Sequence, residues 1–388
     1  MSAFEHAEYQ QRLARTRLGM AAKEFDLLLV TTPENINYLC GYAGWSFYTP
    51  QALLVSLNAP EPLLIVREMD VACARFTTTL SAASMIGYPE TYIGGNSHPM
   101  EYVAKLIAER FGAPQRVGFE PAGCFFPVAS FERLQQPLPD AQFVDSQGLI
   151  NWLRTVKSSA EVNVIREAAA LASAAIATAR EHIRVGAREC DVAAEIYRTL
   201  IGGDSRFGGS VPAAFSLTSG ERTAAPHIAW TDHRFQAGQA VNLELGGSRH
   251  QYNAGLARSF FLGSPPPALR QLSATVIDGL NAALASARPG QTCEGVAAAW
   301  QAVISRAGYT KTSRIGYSIG LGFQPTWIDY SASLQKGDKT VLEPNMTFHM
   351  ICGMWHGADN FVISETFRVT EEGHEVLTNA PRELIVLD

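Results

Sequence analysis

Apolar and polar residues alternate with two different periods over the first 150 positions. Short apolar runs typical of buried strands lie at 25–30, 52–57, 62–66 and 116–120. Segments with the helical spacing of apolar residues lie at 8–23 and 98–111. Because strands and helices alternate along the chain, we predict a layered α/β domain here.

Beyond residue 155 the pattern changes to long helices separated by β segments. An alanine-rich stretch at 160–183 consists almost throughout of strong helix formers. Further helices are predicted at 190–201, 268–287 and 292–307. A chain of 388 residues is long enough for two domains. We therefore predict an α/β domain over 1–155 and an α+β domain over 156–388.

The composition is that of an ordinary globular protein, with 47% hydrophobic and 18% charged residues. A net charge of -6 gives no electrostatic footprint for nucleic acid. Six cysteines are scattered without a CxxC pair, which favours reduced thiols in a cytoplasmic protein over a zinc ribbon or a disulfide framework. No apolar run approaches the length of a membrane span, and no basic start precedes an apolar run, so neither a membrane segment nor a signal peptide is expected.

Two glutamates and two histidines are candidates for chemistry. Glu244 and Glu365 stand in apolar strand segments, where a buried charge is costly unless it is paired, so we predict pocket carboxylates. The alternative is a glutamate that faces water from an edge strand. His227, in the segment after Pro226, is suited to proton transfer near neutral pH. His349 is either a second pocket imidazole or a core residue with satisfied hydrogen bonds.

Aromatic side chains and one arginine are candidates for substrate binding. Trp45, Trp327 and Trp355 lie in segments rich in glycine or proline, and Tyr48 is near the first of them. Such rings either fill the core or wall a pocket for a planar cation, where cation–π contact contributes about 0.5 to 2 kcal/mol. Arg67 ends an apolar strand and could be a surface residue or a bidentate ligand for a carboxylate.

Several linked motifs carry a resemblance to a known family. They are, in chain order, Leu153-Arg154-x-x-Lys157, the segment 219–227, the segment 244–258 ending in Arg258, the Gly-x-Ser-Ile-Gly turn at 316–320, and the strand around Glu365. Their order and spacing resemble the pita-bread family of creatinase, prolidase and methionine aminopeptidase. The resemblance implies an α/β N-terminal domain followed by an α+β pita-bread domain.

In that family two Asp, one His and two Glu hold two metal ions. The resemblance maps these five positions onto Glu244, Gly255, Tyr317, Ile351 and Glu365. Two metals need bridging carboxylates at close range, and two surviving carboxylates are too few. We therefore predict a protein with neither metal nor other cofactor, whose chemistry differs from peptide hydrolysis.

Four stretches are similar to the ectoine hydrolases within this family: 41–48, 98–102, 314–320 and 345–351. The resemblance implies hydrolysis of a C–N bond in a small cyclic amidine zwitterion. Glu244 would act at the amidine carbon as nucleophile or base, Glu365 would pair with ring N–H groups, and His227 would protonate the leaving nitrogen. The implied substrate-binding residues are Trp45, Tyr48, Arg67, Tyr317, Trp327, His349 and Trp355.

Other readings stay open at this stage. Residues 323–330 and 354–360 diverge from the ectoine hydrolase pattern, which leaves room for a relative of ectoine as substrate. A creatinase-like amidinohydrolase is one alternative, although Ala257 stands where creatinase has a glutamate. An Xaa-Pro metallopeptidase and a non-catalytic pita-bread binding module are the others.

The sequence also suggests an assembly. The second domain offers no obvious cation for a substrate carboxylate, and the resemblance is to dimeric creatinase-like enzymes. We therefore expect a homodimer with a shared active site, in which Arg67 and the 45–48 loop reach the partner's site.

Overall fold

A computed structural model describes residues 3–112, 114–213, 215–357 and 359–388. It divides into two compact units, Met1–Leu153 and Arg154–Asp388. The boundary predicted after residue 155 lies two residues further along the chain.

Unit 1 is built on a mixed sheet of six strands in the order β4-β3-β2-β1-β5-β6. β1 to β3 pair antiparallel, and the other neighbours pair parallel. The strands are β1 (Leu27–Val30), β2 (Ala52–Ser56), β3 (Leu63–Arg67), β4 (Met85–Tyr88), β5 (Arg116–Phe119) and β6 (Gln142–Asp145). The helices are α1 (His6–Ala22), α2 (Pro33–Cys40), α3 (Val71–Thr77), α4 (Pro99–Phe111), α5 (Val128–Gln135) and α6 (Leu149–Thr155).

The two long helices of unit 1 and strands β1, β2, β3 and β5 match the sequence pattern, whereas the short helices and strands β4 and β6 have no predicted counterpart. α2, α3 and α5 have no counterpart among the predicted helices, because seven or eight residues are fewer than the window that reveals a helical period. The core forms where the central strands pack on the apolar face of α4, which places Leu27, Leu54, Val103 and Ile107 in one buried cluster.

Unit 2 contains two sheets, each covered by a pair of helices. Its strands are β7 (Ser216–Ser219), β8 (Ala240–Arg249), β9 (Tyr252–Leu262), β10 (Gly316–Ile319), β11 (Ile328–Ser333), β12 (Thr347–His356), β13 (Asp359–Val369), β14 (His374–Val376) and β15 (Ile385–Leu387). Its helices are α7 (Ser159–His182), α8 (Glu189–Gly202), α9 (Pro267–Ser286) and α10 (Cys293–Arg306).

The two sheets of unit 2 run β15-β9-β8-β7 and β11-β10-β12-β13-β14. α7 and α8 share a buried cluster with β8 and β9, whereas α9 and α10 share one with β12 and β13. The inner faces meet, since Ser259 of β9 donates a hydrogen bond to the carbonyl of Val362 in β13. This confirms the predicted fold class, an α/β domain followed by an α+β pita-bread domain.

One helix of unit 2 is unusually apolar. α7 is long and apolar enough to cross a membrane by length and composition alone, and 56% of its most apolar window is buried within the fold. That burial is typical of a core helix, whose apolar side chains pack on β8 and β9.

Candidate active site

Unit 2 has a cleft with two adjoining lobes. The polar lobe, of about 270 Å³, is lined by Asn242, Lys311, Arg314, Ile351 and Trp355, among others. The aromatic lobe, of about 470 Å³, is lined by Phe215, Ile228, Pro325, Trp327 and Ile328, among others. Both lobes share the side chains of Ser216, Pro226, His227, Glu244 and Tyr317. Three of the predicted site residues therefore meet at the junction of the lobes.

Glu244 reaches the cleft because of strand alternation in β8. Val241, Leu243 and Leu245 point into the helix-covered core, so the intervening Glu244 faces the other side. Among the described residues none donates a hydrogen bond or an ion pair to its carboxylate. Burial alone raises the pKa of Glu244 to about 7. A half-buried carboxylate without a partner is ready to accept a cation or a proton.

Tyr317 forms the wall beside Glu244, and a chain of hydrogen bonds supports it. The indole Nε1 of Trp327 donates to the Tyr317 hydroxyl at 2.9 Å. The same hydroxyl lies 3.1 Å from Nδ1 of His349, and Nε2 of His349 lies 2.8 Å from the hydroxyl of Ser364. All four side chains are buried or nearly so, which fixes the ring of Tyr317 in the cleft.

His227 is exposed at the junction of the lobes. It lies between Arg222 and Thr231, which both contact the buried carboxylate of Glu189. Glu189, at the start of α8, is fully buried. It pairs with Arg222 at 2.6 Å and accepts a hydrogen bond from the backbone N–H of Thr231 at 2.7 Å. Arg222 in turn donates to the carbonyl of Ala229. Glu189 thus positions the segment that presents His227.

A second buried ion cluster supports the aromatic lobe. Asp329 is fully buried, pairs with Arg154 at 3.1 Å and also pairs with Lys157. Because Asp329 lies two residues after Trp327, this cluster anchors the segment that brings the indole to Tyr317. The Arg154-x-x-Lys157 motif singled out in the sequence therefore supports the site indirectly.

Two cations line the polar lobe, and sequence reasoning missed both. Lys311 donates to the carbonyl of Gly353 at 2.7 Å and lies 5.2 Å from the ring centroid of Trp355, and burial lowers its pKa. Arg314 lies 4.5 Å from the ring centroid of Tyr317. The expectation that this domain offers no cation for a carboxylate is wrong. Lys311 and Arg314 both precede β10 in a short, largely exposed segment. Its sequence has no pattern that would predict side chains facing the cleft.

Trp327 and Trp355 both line the cleft, each with its indole N–H hydrogen-bonded. Trp355 donates to the carbonyl of Thr223 at 3.0 Å and is 38% exposed. The ring of Trp327 lies over Gly246, where a Cβ would come within 2.6 Å of Cζ3. Glycine at 246 therefore makes room for the indole on the cleft face of β8.

Glu365 does not reach the cleft, which contradicts its predicted catalytic role. It is 1% exposed, pairs with Arg258 at 2.7 Å and with Arg382 at 3.0 Å, and accepts a hydrogen bond from Thr378. Its position in β13 has the same parity as Ile363, which packs toward α9. Strand alternation therefore points Glu365 away from Glu244, and two arginines leave it no capacity for substrate N–H groups.

His349 also differs from its predicted role: it does not line the cleft to bind substrate but supports Tyr317 from behind. It is fully buried behind Tyr317, and burial lowers its pKa to about 3, so the imidazole is neutral. Its ring fills the space above Gly255, where a Cβ would lie 2.7 Å from Cε1 of His349. An aspartate at 255 and this imidazole exclude each other.

The residues present do not fit a pair of metal ions. In the β12–β13 ladder Ile351 is opposite Ser364, so Ser364 and not Glu365 is the cleft-side neighbour of Ile351. Of the family's five ligand positions, only Glu244 then presents a carboxylate to the cleft. Within the described ranges no group of three or more His, Cys, Asp or Glu side chains could hold a metal ion. Two metals need bridging carboxylates, and the donors here are one carboxylate, a phenol and a serine.

Three predicted binding residues lie in unit 1. Trp45 and Tyr48 are 76% and 65% exposed, with ring centroids 6.3 Å apart. Arg67 makes a bidentate pair with Glu90, at 2.5 and 2.7 Å. A role for Arg67 in a partner's site stays a prediction, and it would compete with Glu90.

Two family models match the chain. The Creatinase/Prolidase N-terminal domain matches residues 12–156, and Metallopeptidase family M24 matches residues 163–371. A curated ectoine hydrolase of Halomonas elongata is 34% identical over 99% of this chain and 98% of its own length. An uncharacterized hydrolase/peptidase of Sinorhizobium fredii is 39% identical over 99% of both chains.

Solved structures agree on the fold. The dipeptidase PepE of Mycobacterium ulcerans superposes with a TM-score of 0.84 at 24% identity, covering 99% of each chain. The prolidase of Pyrococcus horikoshii OT3 superposes with a TM-score of 0.83 at 23% identity, covering 97% of this chain and all of its own. The motifs, the two-sheet architecture and these matches lead to one conclusion: the chain belongs to Metallopeptidase family M24 and carries the creatinase/prolidase N-terminal domain.

Proposed function

We propose that this protein hydrolyses a C–N bond of a small cyclic amidine zwitterion without a metal ion, with ectoine as the first choice of substrate. One observation carries the proposal. Glu244, the single carboxylate that the family's ligand positions bring to the cleft, has no partner among the described residues and stands where the two lobes join. A ligand that supplies a positive charge at that point satisfies a carboxylate that the fold leaves unsatisfied.

The charge pattern of the cleft supports a zwitterion. A cationic amidine group at Glu244 would lie next to the rings of Tyr317 and Trp327, which favour a planar cation. From there the polar lobe leads to Lys311 and Arg314, which suit a carboxylate. A ligand with opposite charges at its two ends therefore matches the cleft along its length.

The chemistry needs no Lewis acid, because an amidinium carbon already carries positive character. Glu244 either accepts a proton from water as the water oxygen adds to that carbon, or attacks the carbon itself; in the second case water later adds to the same carbon, breaks the bond to the Glu244 oxygen and supplies the oxygen of the amide. One ring C–N bond then breaks, and His227 supplies the proton that the departing nitrogen takes up. The products are an amide and a free amine, which for ectoine is an acetylated diaminobutyrate.

The full-length similarity to an ectoine hydrolase supports this choice. An Xaa-Pro dipeptidase of Pyrococcus furiosus is 24% identical over 97% of this chain, so peptidase activity is the alternative to test.

The test is a substrate screen on purified protein. Ectoine, hydroxyectoine, creatine and Xaa-Pro dipeptides are compared with and without a chelator, with Glu244→Gln as the matched inactive control and elemental analysis alongside. We expect amidine hydrolysis that chelator leaves unchanged. Hydrolysis of Xaa-Pro dipeptides that disappears on metal removal, with two metals per chain, would overturn the proposal.

We also propose a cytoplasmic homodimer, on the basis of the sequence. One reason for a shared active site, the supposed lack of a cation in unit 2, no longer applies. Since Lys311 and Arg314 supply cations within unit 2, a trans arginine is no longer required. Mixing Arg67→Ala chains with Glu244→Gln chains tests sharing. Recovery of activity after subunit exchange supports a shared site, and no recovery after verified exchange contradicts it.

A further inference from the structure

The hydrogen-bond partners of the side chains behind Tyr317 determine which atom donates and which accepts in each contact. The chain of contacts runs from Trp327 through Tyr317 and His349 to Ser364, and the proposed reaction so far uses Tyr317 only as a wall. These side chains replace or adjoin three of the positions that the resemblance assigns to metal ligands. Tyr317 stands at one of them, the ring of His349 fills the space above a second, Gly255, and Ser364 lies opposite a third, Ile351, on the neighbouring strand.

Ser364 fixes the direction of the chain. Its hydroxyl oxygen accepts a hydrogen bond from the backbone N–H of Ala257 at 2.6 Å. Its other side-chain contact among the described residues is Nε2 of His349, at 2.8 Å. Ser364 is fully buried, so its own proton needs an acceptor, and Nε2 is the one in reach. Ser364 therefore donates to Nε2.

The tautomer of His349 follows. A neutral imidazole carries one proton, and with Nε2 accepting, that proton is on Nδ1. Nδ1–H then donates to the Tyr317 hydroxyl oxygen, 3.1 Å away. The opposite tautomer would make Ser364 accept twice and bury its O–H without a partner, which is unfavourable.

Tyr317 thus accepts two hydrogen bonds and donates none to the part of the chain that the structure describes. Its oxygen accepts from Trp327 Nε1–H and from His349 Nδ1–H, and no described residue accepts its proton. Resting on the proposed function, we infer that Tyr317 donates a hydrogen bond from its hydroxyl to the substrate in the cleft. In this arrangement Tyr317 is a catalytic residue, and His349 and Ser364 are positioning residues.

The surroundings keep Tyr317 a donor. Burial, and then the charge of Glu244, raise the pKa of Tyr317, so the phenol stays protonated. The hydroxyl would bond the oxygen or nitrogen of the substrate that gains negative charge as water or Glu244 adds to the amidine carbon. The hydrogen bond from such a fixed donor becomes stronger as that charge develops, and the proton stays on Tyr317.

The first experiment measures the tautomer directly in the ligand-free protein. Long-range ¹H–¹⁵N correlation on ¹⁵N-histidine protein separates Nδ1–H from Nε2–H rings, and loss of a signal in His349→Asn assigns it among the nine histidines. We expect Nδ1–H for His349, neutral across the physiological range. An Nε2–H ring would overturn the inference, even in a protein that hydrolyses ectoine.

The second experiment uses matched amides at position 349. Asparagine places an N–H near the position of Nδ1, and glutamine near that of Nε2, so only asparagine can still donate to Tyr317. We expect His349→Asn to keep at least about tenfold more kcat than His349→Gln, the equivalent of one hydrogen bond. Equal loss in both, tracking equal loss of thermal stability, would show a merely structural role and contradict the inference.

Tyr317→Phe completes the cycle. It should lower kcat by about 10²-fold with a smaller change in KM, the usual worth of one such donor. In the Tyr317→Phe background the difference between the Asn and Gln variants should vanish, because the hydroxyl they orient is gone. Persistence of that difference would overturn the inference. An Nδ1–H ring in a protein that hydrolyses no amidine would instead overturn the proposed function alone.

Discussion

Glu244 and Glu365 occupy similar sequence surroundings and end in opposite environments. Each stands in an apolar strand, and each was a candidate pocket carboxylate. Glu244 faces the cleft with no partner in the described ranges, and burial raises its pKa to about 7. Glu365 is sealed in the fold by Arg258 and Arg382. A carboxylate in an apolar strand therefore signals a special environment but does not say which one.

The difference lies in strand parity. In β8 the apolar residues of the helix-covered core are at odd positions and Glu244 is at an even one. In β13 the residues of the corresponding core, such as Ile363 and Phe367, are at odd positions, and so is Glu365. Since alternate side chains point to opposite faces, Glu244 lies on the cleft face and Glu365 on the helix face.

Partners then decide what each carboxylate can do. The cations beside Glu365 are already engaged with it and with backbone carbonyls. The cations of the polar lobe, Lys311 and Arg314, are paired with no carboxylate among the described residues. One region thus uses its charges for the fold, and the other leaves them for a ligand.

The largest expected effect is on turnover in Glu244→Gln. Removing the charge while keeping the shape should lower kcat by about 10³-fold, because the carboxylate acts at the amidine carbon. Steady-state kinetics on the substrate found in the screen measure it. A variant with native circular dichroism and near wild-type rate would remove Glu244 from the mechanism.

Glu365→Gln should lower the free energy of unfolding by about 3 kcal/mol, because it leaves the buried guanidinium of Arg258 without its counter-charge. Urea denaturation measures the loss. The double variant Glu365→Leu with Arg258→Met should recover part of it, since no buried charge is then unpaired. Unchanged stability with lost turnover would restore the catalytic role first predicted for Glu365.

Lys311→Met should raise KM by about tenfold with a smaller effect on kcat, because it removes binding made equally in ground and transition states. Lys339→Met is the matched control, since Lys339 pairs with Glu294 on the surface away from the cleft residues. Equal effects in the two variants would argue against a carboxylate subsite in the polar lobe.

The smallest expected effect is a pH dependence of stability that Glu244 causes. The pKa of Glu244 rises from 4.5 to about 7 on folding, so the folded state holds this proton more tightly. Its contribution to stability is complete below about pH 4.5 and is lost as the pH rises through 7. Glu244→Gln should therefore gain in melting temperature relative to the wild type between pH 5 and 8. A constant difference over that range would contradict the raised pKa.

The sequence by itself determined the fold class, the long helices, the two-domain organisation and the choice of Glu244 as a candidate residue. These follow from periodicity over many residues and from motif spacing, both of which are local in the chain. Parity in β13 was also present in the sequence, and it could have shown that Glu365 shares its face with Ile363.

Only the tertiary structure decided which side chains meet. The capture of Glu365 by Arg382 and the chain from Trp327 to Ser364 join residues 10 to 32 positions apart, through contacts that no local pattern encodes. The placement of Lys311 and Arg314 in the polar lobe was likewise visible only in the folded structure. His349 shows the reason most clearly. Its ring can fill the space above Gly255 because a residue 94 positions away has no side chain. Packing, unlike periodicity, depends on both partners at once.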